Sequence, residues 1–247
     1  MKIYAIGDLH LSFKENYISE KPVTLKMDKP MDCFGEKWLN HPLKIMKNWQ
    51  KRINSNDVVL IPGDISWALN IEDAEFDLQF IKSLPGKKIL IKGNHDYWWQ
   101  SIKKVRQLLK PDCQVIQNDS VKVANVAIAG TRGWKCPGGE DFTEHDQKIF
   151  RREVLRLELS LKSINDEYDF LVVMTHFMPV NYLHQKNEFI ELMEKYRVDL
   201  CIYGHLHGEP AHDNRLSGEK WGIHFKLVSA DFINFEPVLI LNKNDIS

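Results

Sequence analysis

Five short polar clusters, each at or just beyond the end of an apolar run, constrain this chain more than any other feature. They are Gly7-Asp8-Leu9-His10, Gly63-Asp64, Gly93-Asn94-His95-Asp96, Thr175-His176 and Gly204-His205-Leu206-His207. Runs 2–6, 170–174 and 200–203 lead directly into three of them, and runs 88–91 and 58–61 reach the other two after Lys92 and Pro62. Most of these runs are short and rich in Val and Ile, as strands are. Further strand signals lie at 121–129, 224–228 and 238–241, and helical patterns occupy 43–53, 71–84, 98–109, 146–164 and 188–196. Strands and helices alternate through much of the chain, which predicts an α/β fold. Beyond residue 200 little helix intervenes, so antiparallel pairing and a mixed or second sheet are expected there.

No internal repeat and no Gly/Ser/Pro linker divides the 247 residues, so one domain spanning 1–247 is expected. A domain of this size buries roughly 70–75% of the surface its unfolded chain exposes. Segments 11–40, 130–144 and 209–222 read as long loops, each placed after a motif or a strand end and therefore beside a site. The stripe Phe150, Val154, Leu157, Leu161 and Ile164 marks a core-facing helix. Four cysteines stand far apart without a C-x-x-C pair, which argues against a zinc ribbon or a disulfide framework. With no signal-peptide core after Met1, a cytoplasmic location is expected. No apolar run approaches the ~20 residues a membrane span needs. Lys and Arg number 33 against 34 Asp and Glu, so no overall field gathers polyanions and long nucleic acid is an unlikely partner.

Ligands of open α/β sheets collect beyond the carboxyl ends of strands, so the five clusters are expected to meet in space. Asp8 and His10 stand two apart and share a face if extended, and His205 and His207 repeat that spacing. Asp64 has two oxygens and could bridge two cations, while Asn94 and His176 add an oxygen and a nitrogen. A mixed nitrogen and oxygen set without thiolate suits Mn, Fe, Zn or Co better than Ca or Mg. The glycine before each cluster's first polar residue is expected to serve a sharp turn, with positive φ where required.

The ordered set Asp-x-His, Gly-Asp, Gly-Asn-His-Asp, His and Gly-His-x-His resembles the signature of the calcineurin-like metallophosphoesterase superfamily, from Asp8 to His207. The resemblance implies a two-layer β-sandwich of mixed sheets flanked by helices, with a centre of two divalent transition metals at one edge. It implies that Asp8, His10 and His207 hold one ion, that Asn94, His176 and His205 hold the other, and that Asp64 bridges them. His95 is left without a metal and fits a general acid that protonates the leaving oxygen after attack by a metal-activated hydroxide. Asp96 is expected to orient the His95 ring, or to cap a helix starting near Tyr97.

The chain departs from the phosphoprotein-phosphatase branch, because Gly63-Asp64 continues as Ile65-Ser66-Trp67 and no arginine follows shortly after Asp64. A small phosphodiester or nucleotide is therefore the expected substrate. Trp67 and Trp134 are candidate stacking surfaces and Arg132 a candidate phosphate anchor. The rivals are a retired binding or scaffold protein on the same fold, and a nuclease, which would need a basic groove.

Overall fold

In the core strands of the fold, successive residues face two different cores, which is why they read as unbroken apolar runs. A computed structural model describes residues 1–15, 27–139 and 141–242. Strands β1 (Lys2–Ala5), β2 (Val58–Ile61), β3 (Lys87–Leu90) and β4 (Cys113–Val115) run parallel in one sheet. The second sheet holds β5 (Val121–Val123), β6 (Val126–Thr131), β7 (Phe170–Thr175), β8 (Leu200–Tyr203), β9 (Gly218–Lys220) and β10 (Ile223–Leu227). β11 (Val238–Asn242) returns antiparallel to β1, giving the orders β11-β1-β2-β3-β4 and β5-β6-β7-β8-β10-β9.

Ile3, Ala5, Val58, Leu60, Ile89, Val172, Met174 and Ile202 fill the space between the sheets. Their neighbours Tyr4, Val59, Ile61 and Leu90 face helices α1 (His41–Arg52), α2 (Glu75–Ser83) and α3 (Ile102–Leu109). On the far side Ala127, Val173, Cys201 and Tyr203 meet α4 (Glu144–Lys162) and α5 (Glu188–Lys195). Each fully buried Ile or Val contributes roughly 1.5–3 kcal/mol of transfer free energy. The expected two mixed sheets flanked by helices are thus observed. No helix among the described residues is long and apolar enough to cross a membrane.

Several expectations shift. Run 121–129 is two strands, because Ala124 at φ 51° turns the chain into an antiparallel hairpin. α3 starts at Ile102 rather than 98, after an extended Ser101. α2 starts at Glu75, since Asn70 accepts from the Asp73 N–H and holds a turn there. β10 pairs with β8 in parallel, so only β9, β11 and β5 are antiparallel additions. Segment 209–222 contains a short helix, α6 (Glu209–Asp213), and β9. Residues 16–26 of segment 11–40, and residue 140 of 130–144, lie outside the described residues.

The parallel strands bring their carboxyl ends to one rim. There the Gly7 N–H donates to Val228 O and the Ala230 N–H to Gly7 O, stitching the end of β1 to that of β10 across the sandwich.

Candidate metal centre

The loops leaving β1, β2 and β8 bend so abruptly that Asp8, His10, Asp64 and His205 take φ values of 57°, 45°, 51° and 72°. Non-glycine residues rarely adopt this region, and each costs on the order of 1–3 kcal/mol, so the fold holds them there against local preference. Of the preceding glycines only Gly63 has positive φ. The glycines answer a different need. A Cβ on Gly93 would collide with the Asp64 carboxylate, and one on Gly204 with that of Asp8. The expected turn glycines are close-approach glycines, and the strain sits on the polar residues themselves.

Asp64 is 1% exposed, and its Oδ1 accepts from the His95 N–H at 2.8 Å. Its Oδ2 is buried without a hydrogen-bond partner among the described residues. Around that oxygen stand His176 Nε2 at 3.4 Å, His10 Nε2 at 3.8 Å and His95 Nε2 at 4.0 Å. His176 Nδ1 lies 3.0 Å from Pro62 O, a pure acceptor, so that nitrogen carries the proton. The Nε2 lone pair then faces Asn94 Oδ1 at 2.6 Å, another acceptor. His207 donates from Nδ1 to Asp231 Oδ1 at 2.9 Å and turns its Nε2 towards His10 Nε2 at 3.2 Å and Asp8 Oδ1 at 3.6 Å. At His176 and Asn94 two acceptors thus meet with no proton between them, which is the arrangement a cation fits.

Two sets of donor atoms each lie within 4.8 Å of one another: those of Asp8, His10 and His207, and those of Asp8, Asp64 and His176. Asn94 joins the second set through His176. His205 donates its backbone N–H to both oxygens of Asp8 and packs its ring against His176 at 5.1 Å, but its nitrogens fall outside both sets. Burial pushes the imidazoles of His176 and His205 down to about 3 and lowers His10 well below the usual range. Neutral rings are what coordination requires. At His207 burial acts in the same direction, but Asp231 and Asp8 outweigh it and raise the ring to about 10. Burial, then the charges of Asp96 and Asp8, holds the Asp64 carboxyl well above the carboxylate range.

His95 stands at the rim, its side chain 34% exposed, with its ring 4.3 Å from Trp67. Asp96 does not orient it. The Asp96 carboxylate accepts from the N–H groups of Gly93, Ile65 and Ser66 and from Trp98 Nε1, at 2.7–3.1 Å, while His95 Nδ1 has no partner among the described residues. Nor does it cap a helix near Tyr97. Asp96, expected from the sequence to act catalytically beside His95, instead clasps the loop after β2 to the loop after β3 and has a positioning role.

Trp67 stacks on His10 at 4.8 Å and 23° and lines a cavity of about 370 Å³ with His95, His207, Met31, Trp38 and Lys37. Trp134 lies elsewhere, 5.1 Å from Phe177, whose ring covers His205 at 4.0 Å, and it bonds Asp146 through Nε1. Arg132 sits over Trp134 at 4.7 Å and lines a different cavity. Trp98 and Trp99 are buried in the first sheet's core. Two site residues escaped the sequence reading. Trp38 comes from segment 11–40 and presents its edge to His10 and His207, and Asp231 holds His207. Asp231 does follow the strand-end stretch Val228-Ser229-Ala230, a weak copy of the pattern in the five clusters.

The family model described as calcineurin-like phosphoesterase matches residues 1–209. No curated protein matches the chain. Among solved structures, TT1561 of Thermus thermophilus is 13% identical with a TM-score of 0.52, over 84% of this chain and 82% of that one. A protein of unknown function from Aquifex aeolicus, AQ665, is 19% identical over 96% and 95% of the two chains, with a TM-score of 0.46. GAP50, the anchor in the inner membrane complex of Plasmodium, is 13% identical over 94% and 72%, with a TM-score of 0.49.

Proposed function

The chain belongs to the calcineurin-like phosphoesterase family, which implies metal-dependent phosphoester hydrolysis, and from that premise we propose that it cleaves small phosphodiesters or nucleotides at the centre described above. Asp8, His10 and His207 would hold one divalent transition metal and Asn94, His176 and His205 the other, with Asp64 shared between them. Nitrogen and oxygen donors without thiolate favour Mn, Fe or Zn. When bound, such a pair supplies a nucleophilic water at neutral pH and positive charge against the phosphoryl oxygens.

The chain's own groups do the rest. His95, exposed at the rim with Nε2 towards the centre, gives a proton to the leaving oxygen. Trp67 packs against that ring and limits its rotation, while the Asp96 clasp fixes the loop that carries it. Asp231 fixes the tautomer of His207, leaving Nε2 free to coordinate. The cavity of about 370 Å³ falls in the range of small-ligand sites, and Trp38 and Trp67 give it an apolar wall for the organic part of a substrate. Its size and the balanced charge of the chain speak for a small substrate over a nucleic acid, and the full ligand set speaks against a retired site.

The observation that carries this reading is the buried Asp64 Oδ2, without a hydrogen bond and facing three imidazole nitrogens. The test is to strip metal with chelator, restore Mn, Fe or Zn, and assay a phosphate monoester and a phosphodiester. Turnover that returns with metal supports the reading; none under any metal overturns it.

A further inference from the structure

A second cavity, of about 230 Å³, opens on the same rim between the ends of β3 and β6 and the flank of α4. Lys92, Arg132, Arg152 and Arg156 line it, and the only carboxylate among its lining residues is Glu153. Glu153 is fully buried and already spoken for: it accepts from Thr131 Oγ1 at 2.7 Å and Arg156 Nη1 at 2.8 Å, with Arg132 and Arg152 at 3.6 and 3.8 Å. Three arginines therefore share one anion, and Lys92 lines the same recess. Arg132 is only 19% exposed, and its buried Nε has no hydrogen-bond partner among the described residues. Like charges gathered in a recess repel one another and lose hydration, a cost that a bound anion offsets.

The position ties this cavity to the metal centre. Arg132 O accepts from the backbone N–H groups of His176 and Phe177 at 2.9 and 3.0 Å, and Lys92 immediately precedes Gly93-Asn94. The recess thus adjoins the Asn94 and His176 side of the site and shares no lining residue with the cavity at Trp38 and Trp67.

We propose that this cavity is an anion subsite for a second phosphate of the substrate, remote from the ester that is cleaved. The inference rests on the hydrolase reading above and narrows it to small molecules carrying at least two phosphates, such as nucleoside bisphosphates. Arginine forks and an ammonium group match a phosphate's oxygens, and charge-assisted hydrogen bonds of this kind are worth about ten- to a hundredfold in affinity.

The experiment compares thymidine 5′-(p-nitrophenyl phosphate) with the same compound carrying a 3′-phosphate, using the Mn-restored full chain. The expected result is a KM at least tenfold lower for the 3′-phosphorylated substrate, a ratio that falls towards one in Lys92→Met/Arg152→Gln. The single variant Arg152→Gln, at an exposed position, keeps the test valid where the double variant does not fold. Equal KM values with good turnover overturn the subsite and leave the hydrolase standing. If neither compound turns over, the hydrolase reading fails, and equilibrium dialysis of thymidine 3′,5′-bisphosphate and thymidine 5′-monophosphate against the metal-stripped chain decides the subsite. Tighter binding of the bisphosphate, lost in the variants, supports it, and equal binding overturns it. A single-stranded oligonucleotide that outcompetes the bisphosphate also overturns it, because the recess is then part of a nucleic-acid groove.

Discussion

Replacing Asp64 with Asn separates the two states of the centre. The amide keeps the acceptor for the His95 N–H at Oδ1, replaces the unpartnered oxygen, and offers an Nδ2 donor to the His176 Nε2 lone pair 3.4 Å away. In the metal-free chain a buried polar group without a partner costs about 1–3 kcal/mol, so the variant is expected to be more stable by that amount. For a chain of this size that is roughly 2–12 °C in melting temperature. With Mn at about a thousand times its dissociation constant, the wild type gains about 4 kcal/mol, or roughly 8–16 °C. The variant lacks the anion between the two sites and gains only part of this. The order of stability therefore inverts: Asp64→Asn above wild type in chelator, below it in Mn. Scanning calorimetry of both proteins in both conditions reads this directly. A variant less stable in both states, with the same Mn-induced shift as wild type, would show that Asp64 Oδ2 carries no such cost and holds no metal.

His95→Ala is expected to lower kcat about 10²- to 10⁴-fold while bound Mn, counted by atomic absorption, stays near the wild-type value. Asp231→Ala frees the Nδ1 proton of His207 and is expected to weaken Mn affinity about 10- to 100-fold by calorimetric titration, with little change in the circular dichroism spectrum. Asp77 gives a pH signature away from the ligands. Burial raises its carboxyl to about 7, although it accepts from the Phe13 N–H and Ser66 Oγ. The protonated form is favoured in the folded state, so this contribution is whole below pH ~4 and is lost as pH rises towards 7. Relative to wild type, Asp77→Asn should gain up to about 4 kcal/mol between pH 4 and 8 in urea unfolding, and a constant difference contradicts the assignment.

The centre was legible because each cluster is contiguous with the strand that aims it. Asp8, Asp64, Asn94 and His176 need only a strand end and parallel neighbours to meet. What failed depends on paths through loops. Asp96 is one residue from His95, yet the chain turns its carboxylate back onto Gly93, Ile65 and Ser66. Trp38 reaches the site from segment 11–40, and no spacing in the sequence fixes where such a segment lands. The anion cavity draws Lys92, Arg132 and the α4 arginines from three separate elements. The hairpin at Ala124 was missed because an alanine at positive φ leaves no turn signature, and β4 and β9 are three residues each, too short for a period to register. The turn reading holds at Gly63 but not at Gly93 and Gly204, where the need for glycine comes from Asp64 and Asp8, distant in sequence.

Asp8, His10, Asp64, Asn94, His176, His205 and His207 are proposed to form one two-metal hydrolytic centre. Titrating the metal-stripped chain with Mn while following hydrolysis of bis-p-nitrophenyl phosphate tests it most directly. No activity in chelator and a rise that saturates at two Mn per chain are expected; undiminished hydrolysis in chelator, or saturation with a single ion, rules such a centre out.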